Sequence, residues 1–237
     1  MKPLLRCFGM FVGQIARDSM LYAAMVAPLL AACFFRFGVP YAETLLCDLF
    51  GRASVLFGYY LLFDLFLAAL TPYLFCFASA MVMLTELDEN MAAYMAVTPV
   101  GKRGYIVSRL LLPALIAFAV SVLLVRLFAL TPWSVPELLC TCLMTSLLSA
   151  VVALLLVAFA HNRVEGMALA KIAGLLMLGL PVPFFMFSRI QYLFFALPSF
   201  WIAKYRLEGE WQFALPAAAS VVLWIWGLAG RFERRLA

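Results

Sequence analysis

Residues 138–160 read LLCTCLMTSLLSAVVALLLVAFA and contain no charged side chain. At the helical rise of ~1.5 Å per residue, a run of this length crosses the ~30 Å hydrocarbon core of a bilayer. Within lipid each backbone polar group needs an internal partner, so such a run forms a helix. Further apolar runs lie near residues 19–36, 54–84, 106–130, 168–187 and 213–230. The sequence therefore predicts an all-α integral membrane protein with six transmembrane helices.

The overall composition agrees with a membrane location. Of the 237 residues, 67% are hydrophobic and 12% are charged, whereas soluble domains are about 45–50% apolar and about 25% charged. A soluble domain needs a polar coat, and a disordered chain combines low hydrophobicity with high charge, so both classes are excluded. The spans use most of the chain, so we expect residues 1–237 to form one membrane domain without a soluble catalytic part.

The positions of Lys and Arg predict how the chain sits in the membrane, because cytoplasmic connections carry the excess of these residues. Six spans place both termini on one side, and that side carries eleven basic residues: Lys2, Arg6, Arg17, Lys102, Arg103, Arg109, Arg163, Lys171, Arg231, Arg234 and Arg235. The other side carries six: Arg36, Arg52, Arg126, Arg189, Lys204 and Arg206. Both termini are therefore predicted to be cytoplasmic. The net charge of +5 reflects this topology and contact with anionic membrane lipids, not binding of nucleic acid.

Residues 1–17 predict an amphipathic helix in the cytoplasmic interface of the membrane. At 100° per residue, Leu4, Phe8, Phe11 and Ile15 share one narrow sector, and basic residues lie on the opposite side. We expect the apolar face to point toward lipid and the basic face toward water. The helix is either a membrane anchor alone or an anchor that also contacts a cytoplasmic partner.

The sequence lacks the residue groups that most enzymes need. Its single histidine, His161, excludes an HExxH zinc site and argues against a His-based triad. Its six cysteines follow no zinc or disulfide spacing. Residues 96–103 resemble a phosphate-binding loop, but they lack its first glycine and the Ser/Thr after its lysine. We therefore predict no catalytic residue, no metal site and no cofactor bound by this chain.

The connection between the second and third spans, residues 85–104, carries the most information. It begins with three carboxylates, where a helix macrodipole favours them, and Thr98-Pro99 ends the helix-forming stretch that follows. The basic pair Lys102-Arg103 then marks re-entry into the membrane. We expect a short helix along the cytoplasmic surface with Glu86 and Glu89 on one face. The alternative is a capped, solvated hairpin without a partner.

In order and spacing these residues resemble the type-2 exporter permeases of ATP-binding-cassette (ABC) transporters. Such permeases have six spans, an amino-terminal interfacial helix, an acidic stretch after span two, and a Thr-Pro pair before a basic residue on span three. Arg109 stands where the family often has lysine, and Asn90-Met91 stand where it often has Gly-Thr. Residues 162–166 with Lys171, and residues 197–201, are similar to the branch that exports drugs and peptides.

The resemblance implies a partner and a mechanism. Residues 86–99 would form a coupling helix that docks on a separate ABC ATPase, present in two copies, which binds ATP and Mg²⁺. The residues expected to make this contact are Glu86, Asp88, Glu89, Tyr94, Thr98, Pro99, Lys102 and Arg103. A second cytoplasmic contact would come from Asn162, Arg163 and Glu165. The permease would pair with a second copy of itself or with a paralogous permease, in the plasma membrane of a bacterium.

The later part of the chain predicts a broken span and an outer cap. Gly166, Ala170 and Gly174 repeat at four-residue spacing, which allows close helix packing either within the subunit or at a dimer seam. Pro181 and Pro183 then end the fifth span early. Residues 188–212, rich in Tyr and Trp, are expected to form short external helices that dip into the outer leaflet.

Asp64 and Arg126 are charges inside apolar runs and are therefore candidate functional residues. They could pair across spans two and three, or each could reach the outer surface separately. With few such charges and many Phe, Met and Leu residues, we expect an amphipathic cargo such as a drug, peptide or lipid-like molecule. The other functions to be tested are a non-transporting membrane scaffold or immunity protein and a membrane-embedded lipid-modifying enzyme.

Overall fold

The computed structural model describes the backbone of residues 2–89 and 101–235 and the side chains of residues 6–89 and 104–232. Within those residues the chain is helical and contains no β-strand, as the sequence predicts. The helices are α1 (Lys2–Arg17), α2 (Ser19–Phe50), α3 (Tyr60–Asp88), α4 (101–128), α5 (Val135–Phe159), α6 (Arg163–Ala173), α7 (Val182–Phe185), α8 (Pro198–Glu208) and α9 (Ala214–Arg235). Within α2 and α4, single π turns cover Phe34–Gly38 and Val107–Leu111.

Five of the described helices are long and apolar enough to cross a membrane: Ser19–Phe50, Phe57–Asp88, Gly104–Phe128, Val135–Phe159 and Trp211–Phe232. They correspond to five of the six predicted spans. The remaining predicted span, 168–187, is expected to break at Pro181 and Pro183, but its regular helix ends earlier than that. There α6 ends at Ala173, a 3-10 turn covers Gly174–Gly179, and α7 begins only at Val182. Pro181 and Pro183 have no N–H to donate, which prevents a regular helix from resuming sooner.

The broken segment 163–185 nevertheless runs the length of the bundle. At its start, the Arg163 side chain pairs with Asp18, and the Arg163 N–H donates to Asp88. At its end, the Phe185 ring stacks on Tyr59 with the ring centroids 5.2 Å apart. Tyr59 and Asp88 flank the two ends of α3. The segment thus passes from one end of the bundle to the other, although only part of it is regular helix.

Helix α2 is longer than the predicted first span. It continues past residue 36 to Phe50 and ends at Gly51, whose φ of 60° is the left-handed conformation that glycine adopts without strain. The Glu43 carboxylate then accepts hydrogen bonds from the N–H groups of Val55 and Leu56, at 2.9 and 2.5 Å. These bonds fold the returning chain back against α2, directly before α3 begins.

The centre of the bundle is formed by α3 and α5, where about two thirds or more of the residues in the apolar stretch are buried, whereas under a third are buried in α2, α4 and α9. Small side chains allow the two central helices to approach closely. Ala68, Ala78 and Ala80 of α3 and Leu148 and Val152 of α5 have no solvent-accessible surface. The middle of the bundle is therefore filled by side chains.

Proline in the central helix creates a junction of three helices. Because Pro72 has no N–H, the Ala68 carbonyl lacks its usual partner one turn later. Ser121 of α4 and Thr145 of α5 each donate a hydroxyl to this carbonyl at 3.0 Å. The same arrangement recurs at Pro113: the Arg109 carbonyl, one turn before it, accepts the hydroxyl of Ser79. Hydroxyls from neighbouring helices thus satisfy carbonyls that lipid could not.

Helix α1 forms as predicted, but its apolar face packs on protein rather than on lipid. Phe11 and Ile15 are buried in the main core cluster with Leu21 of α2 and Tyr105 of α4. Phe8 packs against the same cluster and is half-buried. Amphipathic periodicity indicates which face of a helix avoids water, but it does not show whether that face contacts lipid or a neighbouring helix.

Of the small residues Gly166, Ala170 and Gly174, the first packs against another helix of the same chain. A Cβ on Gly166 would lie 2.9 Å from Met81 Cε and closer still to Leu84 Cδ1, both on α3. One turn further, the Tyr73 hydroxyl donates to the Ala170 carbonyl at 2.9 Å. Of the two predicted roles, packing within the subunit therefore describes Gly166 and Ala170.

Residues 188–212 contain a 3-10 turn, Arg189–Phe194, and helix α8. The Ser199 hydroxyl, at the start of α8, donates to the Leu176 carbonyl inside the broken segment. Arg206, near its end, donates to the Pro132 carbonyl at 3.0 Å, in the connection between α4 and α5. Helix α8 therefore begins against the broken segment and ends at the same end of the bundle as the α4–α5 connection.

The close approach of Gly179 to α8 gives a testable difference between two glycines of one segment. A Cβ on Gly179 would lie 2.5 Å from the Phe200 backbone nitrogen, whereas a Cβ on Gly174 would find its nearest neighbour, the Tyr73 hydroxyl, at 3.8 Å. We expect Gly179→Ala to lower the free energy of unfolding by about 1–3 kcal/mol through overpacking. Gly174→Ala should leave it unchanged or raise it. Thermal unfolding in detergent compares the two, and equal melting temperatures would contradict the observed packing.

Candidate functional site

The acidic residues predicted to begin a separate surface helix lie instead at the end of α3. This helix continues without interruption from Tyr60 to Asp88, so Glu86 and Asp88 belong to its last turn. Asp88 and Glu89 are exposed, whereas Glu86 is buried. The expectation that Glu86 and Glu89 share one exposed face is therefore wrong. Glu86 follows Ser79 and Val82 at seven- and four-residue spacing, and both of these lie on the buried face of α3.

Glu86 forms a buried ion pair with Arg109 of α4. Arg109 Nη2 lies 2.6 Å from Glu86 Oε1, and Arg109 Nε lies 3.0 Å from Oε2. Neither side chain has solvent-accessible surface. The planar guanidinium thus donates in parallel to both carboxylate oxygens, which is the strongest form of such a pair. Because removal of one partner would leave a buried charge, the pair fixes the end of α3 against α4.

The same guanidinium binds α1. Arg109 Nη1 donates to the Cys7 carbonyl at 2.9 Å, and the guanidinium carbon lies 5.2 Å from the centre of the Phe11 ring. The same carbon lies 5.8 Å from the centre of the Tyr105 ring. One charged group therefore joins α1, α3 and α4, and the two aromatic rings shield it from water.

A second, more exposed junction joins the α1–α2 corner to the start of α6. Arg163 Nη2 lies 2.5 Å from Asp18 Oδ2, and the Arg163 N–H donates to Asp88 at 3.3 Å. Asp18 also caps α2 by accepting hydrogen bonds from the N–H groups of Met20 and Leu21. Arg163 therefore connects three parts of the chain at one end of the bundle.

The surroundings of Asp18 favour its charged form. Partial desolvation raises the pKa of its carboxyl, but the N–H of Leu21 and the Arg163 guanidinium outweigh that effect, so the pKa is lowered. A lowered pKa means that Asp18 contributes stability above its ordinary titration range, and that this contribution is lost as the pH falls through the lowered value. The junction is therefore intact at neutral pH.

The residues predicted as a second contact form a compact turn at the start of α6. The Asn162 side chain caps this helix by accepting a hydrogen bond from the Glu165 N–H at 2.9 Å. Glu165 in turn accepts from the His161 N–H at 2.7 Å, and its carboxylate lies 3.1 Å from His161 Nδ1. The three predicted residues Asn162, Arg163 and Glu165 therefore lie together, next to Asp88.

A cleft of about 290 Å³ lies where these parts meet. Its lining includes Gln14 and Asp18 from the α1–α2 corner, Thr85 and Glu89 from the end of α3, and Arg163. The structure thus brings the two predicted cytoplasmic contacts to one end of the bundle and adds the α1–α2 corner, which the sequence reading did not place there. Of the remaining predicted residues, Tyr94, Thr98 and Pro99 lie outside the described residues, as do the side chains of Lys102 and Arg103.

Asp64 and Arg126 do not pair with each other. Asp64 is buried, and it accepts hydrogen bonds from the N–H groups of Leu130 and Thr131 at 2.8 and 2.9 Å and from Trp133 Nε1 at 3.1 Å. The Arg126 side chain is exposed. The chain that leaves α4 has N–H groups without helical acceptors, so the carboxylate satisfies them instead. Asp64 therefore holds the α4–α5 connection in place.

Sequence reasoning missed two parts of the site. It noted Arg109 as a basic residue near the membrane edge but not as the partner of Glu86, and it did not single out Asp18. Two features of the sequence could have indicated these residues. Glu86 continues the buried face of α3, and Asp18 stands at the N-cap position before an apolar run.

Comparison with known proteins identifies a family that the chain matches. Residues 11–229 match a family described as Rv2686c-like, fluoroquinolones export permease protein. Two similar proteins come from Mycobacterium tuberculosis: fluoroquinolones export permease protein Rv2686c of strain ATCC 25618 / H37Rv and fluoroquinolones export permease protein MT2760 of strain CDC 1551 / Oshkosh. Each is 26% identical over 230 residues, which cover 92% of this chain and 89% of the relative. No solved structure matches the chain.

The burial of Glu86 and the exposure of Glu89 predict effects of very different size for the same substitution. Glu86→Gln leaves the buried Arg109 charge uncompensated, so we expect it to lower the free energy of unfolding by about 3 kcal/mol. Glu89→Gln should change it by less than about 0.5 kcal/mol, as for other exposed positions. Denaturant or thermal unfolding in detergent measures both variants.

The double variant Glu86→Leu/Arg109→Met provides the control for this prediction, because it removes both charges together. It should recover part of the loss caused by Glu86→Gln. Equal stability of Glu86→Gln and Glu89→Gln would show that the pair does not support the bundle.

Proposed function

This chain belongs to the Rv2686c-like family of fluoroquinolone export permeases, and we propose that it is the membrane-spanning subunit of an exporter driven by a separate ATPase. In this proposal the chain forms the substrate pathway, while ATP and Mg²⁺ are bound and ATP is hydrolysed on the partner. The printed names of the two mycobacterial relatives describe export permeases and support a transporter rather than an enzyme.

One observation carries the proposal. The end of α3, the start of α6 and the α1–α2 corner meet at one end of the bundle, where Arg163 contacts both Asp18 and Asp88. Directly beneath them, the Glu86–Arg109 pair connects α3 to α4 and α1. A displacement applied to the exposed residues is therefore transmitted to three long helices at once. A rigid connection of this kind is what a transporter needs to convert movement of an ATPase into tilting of its spans.

We assign the docking surface to Asp88, Glu89 and the residues that follow them up to 104. In this revised assignment Glu86 does not touch the ATPase but supports the surface from inside. Asn162, Arg163 and Glu165 form the second contact beside it. Two copies of the ATPase would engage two permease chains, and ATP can shift the permease between its two states only if the contacts differ between them.

The topology that suits this role has six crossings, with the broken segment 163–185 as the fifth. Its contacts at the two ends of α3 support this assignment. An even number of crossings places both termini on the side of the docking surface, in agreement with the excess of Lys and Arg there. We place the chain in the plasma membrane of a bacterium, with both termini in the cytoplasm.

The pathway itself requires a second permease chain, either identical or paralogous. Support comes from the packing of α3 and α5, since residues such as Ala78 and Leu148 at the centre of one bundle are fully buried. We therefore place the pathway between two chains. The cargo is an amphipathic molecule, and the names of the relatives make a fluoroquinolone the first compound to test.

The experiment uses inside-out vesicles that contain the chain and its ATPase, with uptake of a fluoroquinolone measured with and without ATP. We expect uptake that depends on ATP. Glu89→Lys should reduce ATP-dependent uptake about tenfold or more, because it replaces a negative side chain of the docking surface with a positive one. Protein abundance and thermal stability should stay unchanged, since Glu89 is exposed.

Asp48→Lys is the matched control. It makes the same change of charge on an exposed residue of α2, at the end of that helix remote from Asp18. Its uptake should equal that of the unmodified chain. Uptake without ATP, or full ATP-driven uptake by Glu89→Lys, would contradict the coupling role. No uptake of any amphipathic compound, together with no bound ATPase, would favour a scaffold protein.

A further inference from the structure

A groove runs between α5 and α9 on the outside of the bundle and is distinct from the docking surface. It has a volume of about 440 Å³ and is open along its side. Its walls are apolar: Leu155 and Phe159 come from α5, and Leu223, Trp224 and Gly227 come from α9. Both helices are among those able to cross a membrane, and the groove opens to the outside of the bundle.

One end of the groove carries a positive charge. Arg231 lines it there, with its guanidinium carbon 4.9 Å from the centre of the Phe159 ring. Among the described residues, no carboxylate forms an ion pair with Arg231. The ring holds the stem of the side chain against α5 and leaves the charge at the mouth of the groove.

This charged end lies at the level of the docking surface. Phe159 is the last residue of α5, and the connection that follows leads directly to Arg163. From Arg231 the groove extends about two helical turns along α9 to Leu223, or ~12 Å at 1.5 Å per residue. Arg231 is thus placed at the depth of the cytoplasmic headgroups, and the apolar walls reach into the inner leaflet.

We propose that the groove binds one anionic phospholipid of the inner leaflet, with an acyl chain between α5 and α9 and its phosphate beside Arg231. Charge complementarity selects this occupant. The apolar walls suit a hydrocarbon chain, and the single cation at headgroup depth favours an anionic headgroup over a zwitterionic one. A lipid held there touches α5, which is packed directly against α3.

Two substitutions test the groove: one fills it and the other removes its charge. A Cβ on Gly227 would meet no atom within 4 Å, so the backbone there accepts a side chain, and Gly227→Leu adds apolar atoms to a residue that lines the groove. Gly9 of α1 is equally open, and Gly9→Leu is the matched control for adding an apolar side chain to a helix. Arg231→Gln removes the charge alone. Arg126→Gln is its control, because Arg126 is exposed and lies on α4, away from the groove.

The test is native mass spectrometry of the purified chain with equal amounts of phosphatidylglycerol and phosphatidylcholine that carry the same acyl chains. For the unmodified protein, we expect the first bound lipid to be phosphatidylglycerol by about fivefold, the preference that one basic residue near the surface provides. Gly227→Leu should lose the bound lipid. Arg231→Gln should keep a lipid but lose the preference. Gly9→Leu and Arg126→Gln should behave like the unmodified chain.

Three results would overturn the proposal. The first is equal retention of phosphatidylglycerol by Gly227→Leu and Gly9→Leu. The second is that Gly227→Leu abolishes a dimer and leaves lipid binding intact, which would assign the groove to a second copy of the chain. The third is displacement of the lipid from the unmodified chain by a fluoroquinolone, which would assign the groove to cargo. The assignment to the inner leaflet rests on the proposed topology, but none of these results depends on coupling to the ATPase, so failure of lipid binding is distinguishable from failure of the proposed function.

Discussion

The ion pair between Glu86 and Arg109 is the interaction on which the arrangement of this protein depends. Both charges are fully buried, at a depth where an unpaired charge would be very costly. Arg109 can satisfy Glu86 only if α3 and α4 keep their relative position, and its remaining nitrogen reaches the Cys7 carbonyl only if α1 lies across them. A single guanidinium therefore fixes the geometry of three helices.

This constraint determines which residues can face a partner. With Glu86 turned inward, the acidic surface consists of Asp88 and Glu89, and Arg163 binds Asp88 from the adjacent connection. The exposed and buried parts of the acidic sequence thus have different physical roles: Asp88 and Glu89 face outward, while Glu86 holds α3 against α4. Polar groups deeper in the bundle follow the same logic: Ser121 and Thr145 satisfy the carbonyl that Pro72 leaves open.

Much of this architecture could be predicted from the sequence, because apolar length and helical periodicity are local properties. Five spans and the helix α1 follow from them. The partner of Glu86 could not be predicted, since it lies on another helix and its choice depends on how α3 and α4 pack. Likewise, Asp64 binds the 130–133 turn rather than Arg126, and the fifth predicted span breaks at Gly174, before its prolines. The apolar face of α1 was predicted to face lipid but packs on protein. The sequence does not separate the two cases, because lipid and a protein core both favour apolar residues.

The Glu86–Arg109 pair should make α1, α3 and α4 move as one body at this end of the bundle. Hydrogen–deuterium exchange, compared between the unmodified chain and Glu86→Gln in detergent, tests it most directly. If the three helices move together, peptides from α1 will lose protection together with those around residues 84–88 and 105–109, although α1 itself is unchanged in sequence. Loss of protection confined to the two peptides that carry the pair, with α1 as protected as before, would contradict it.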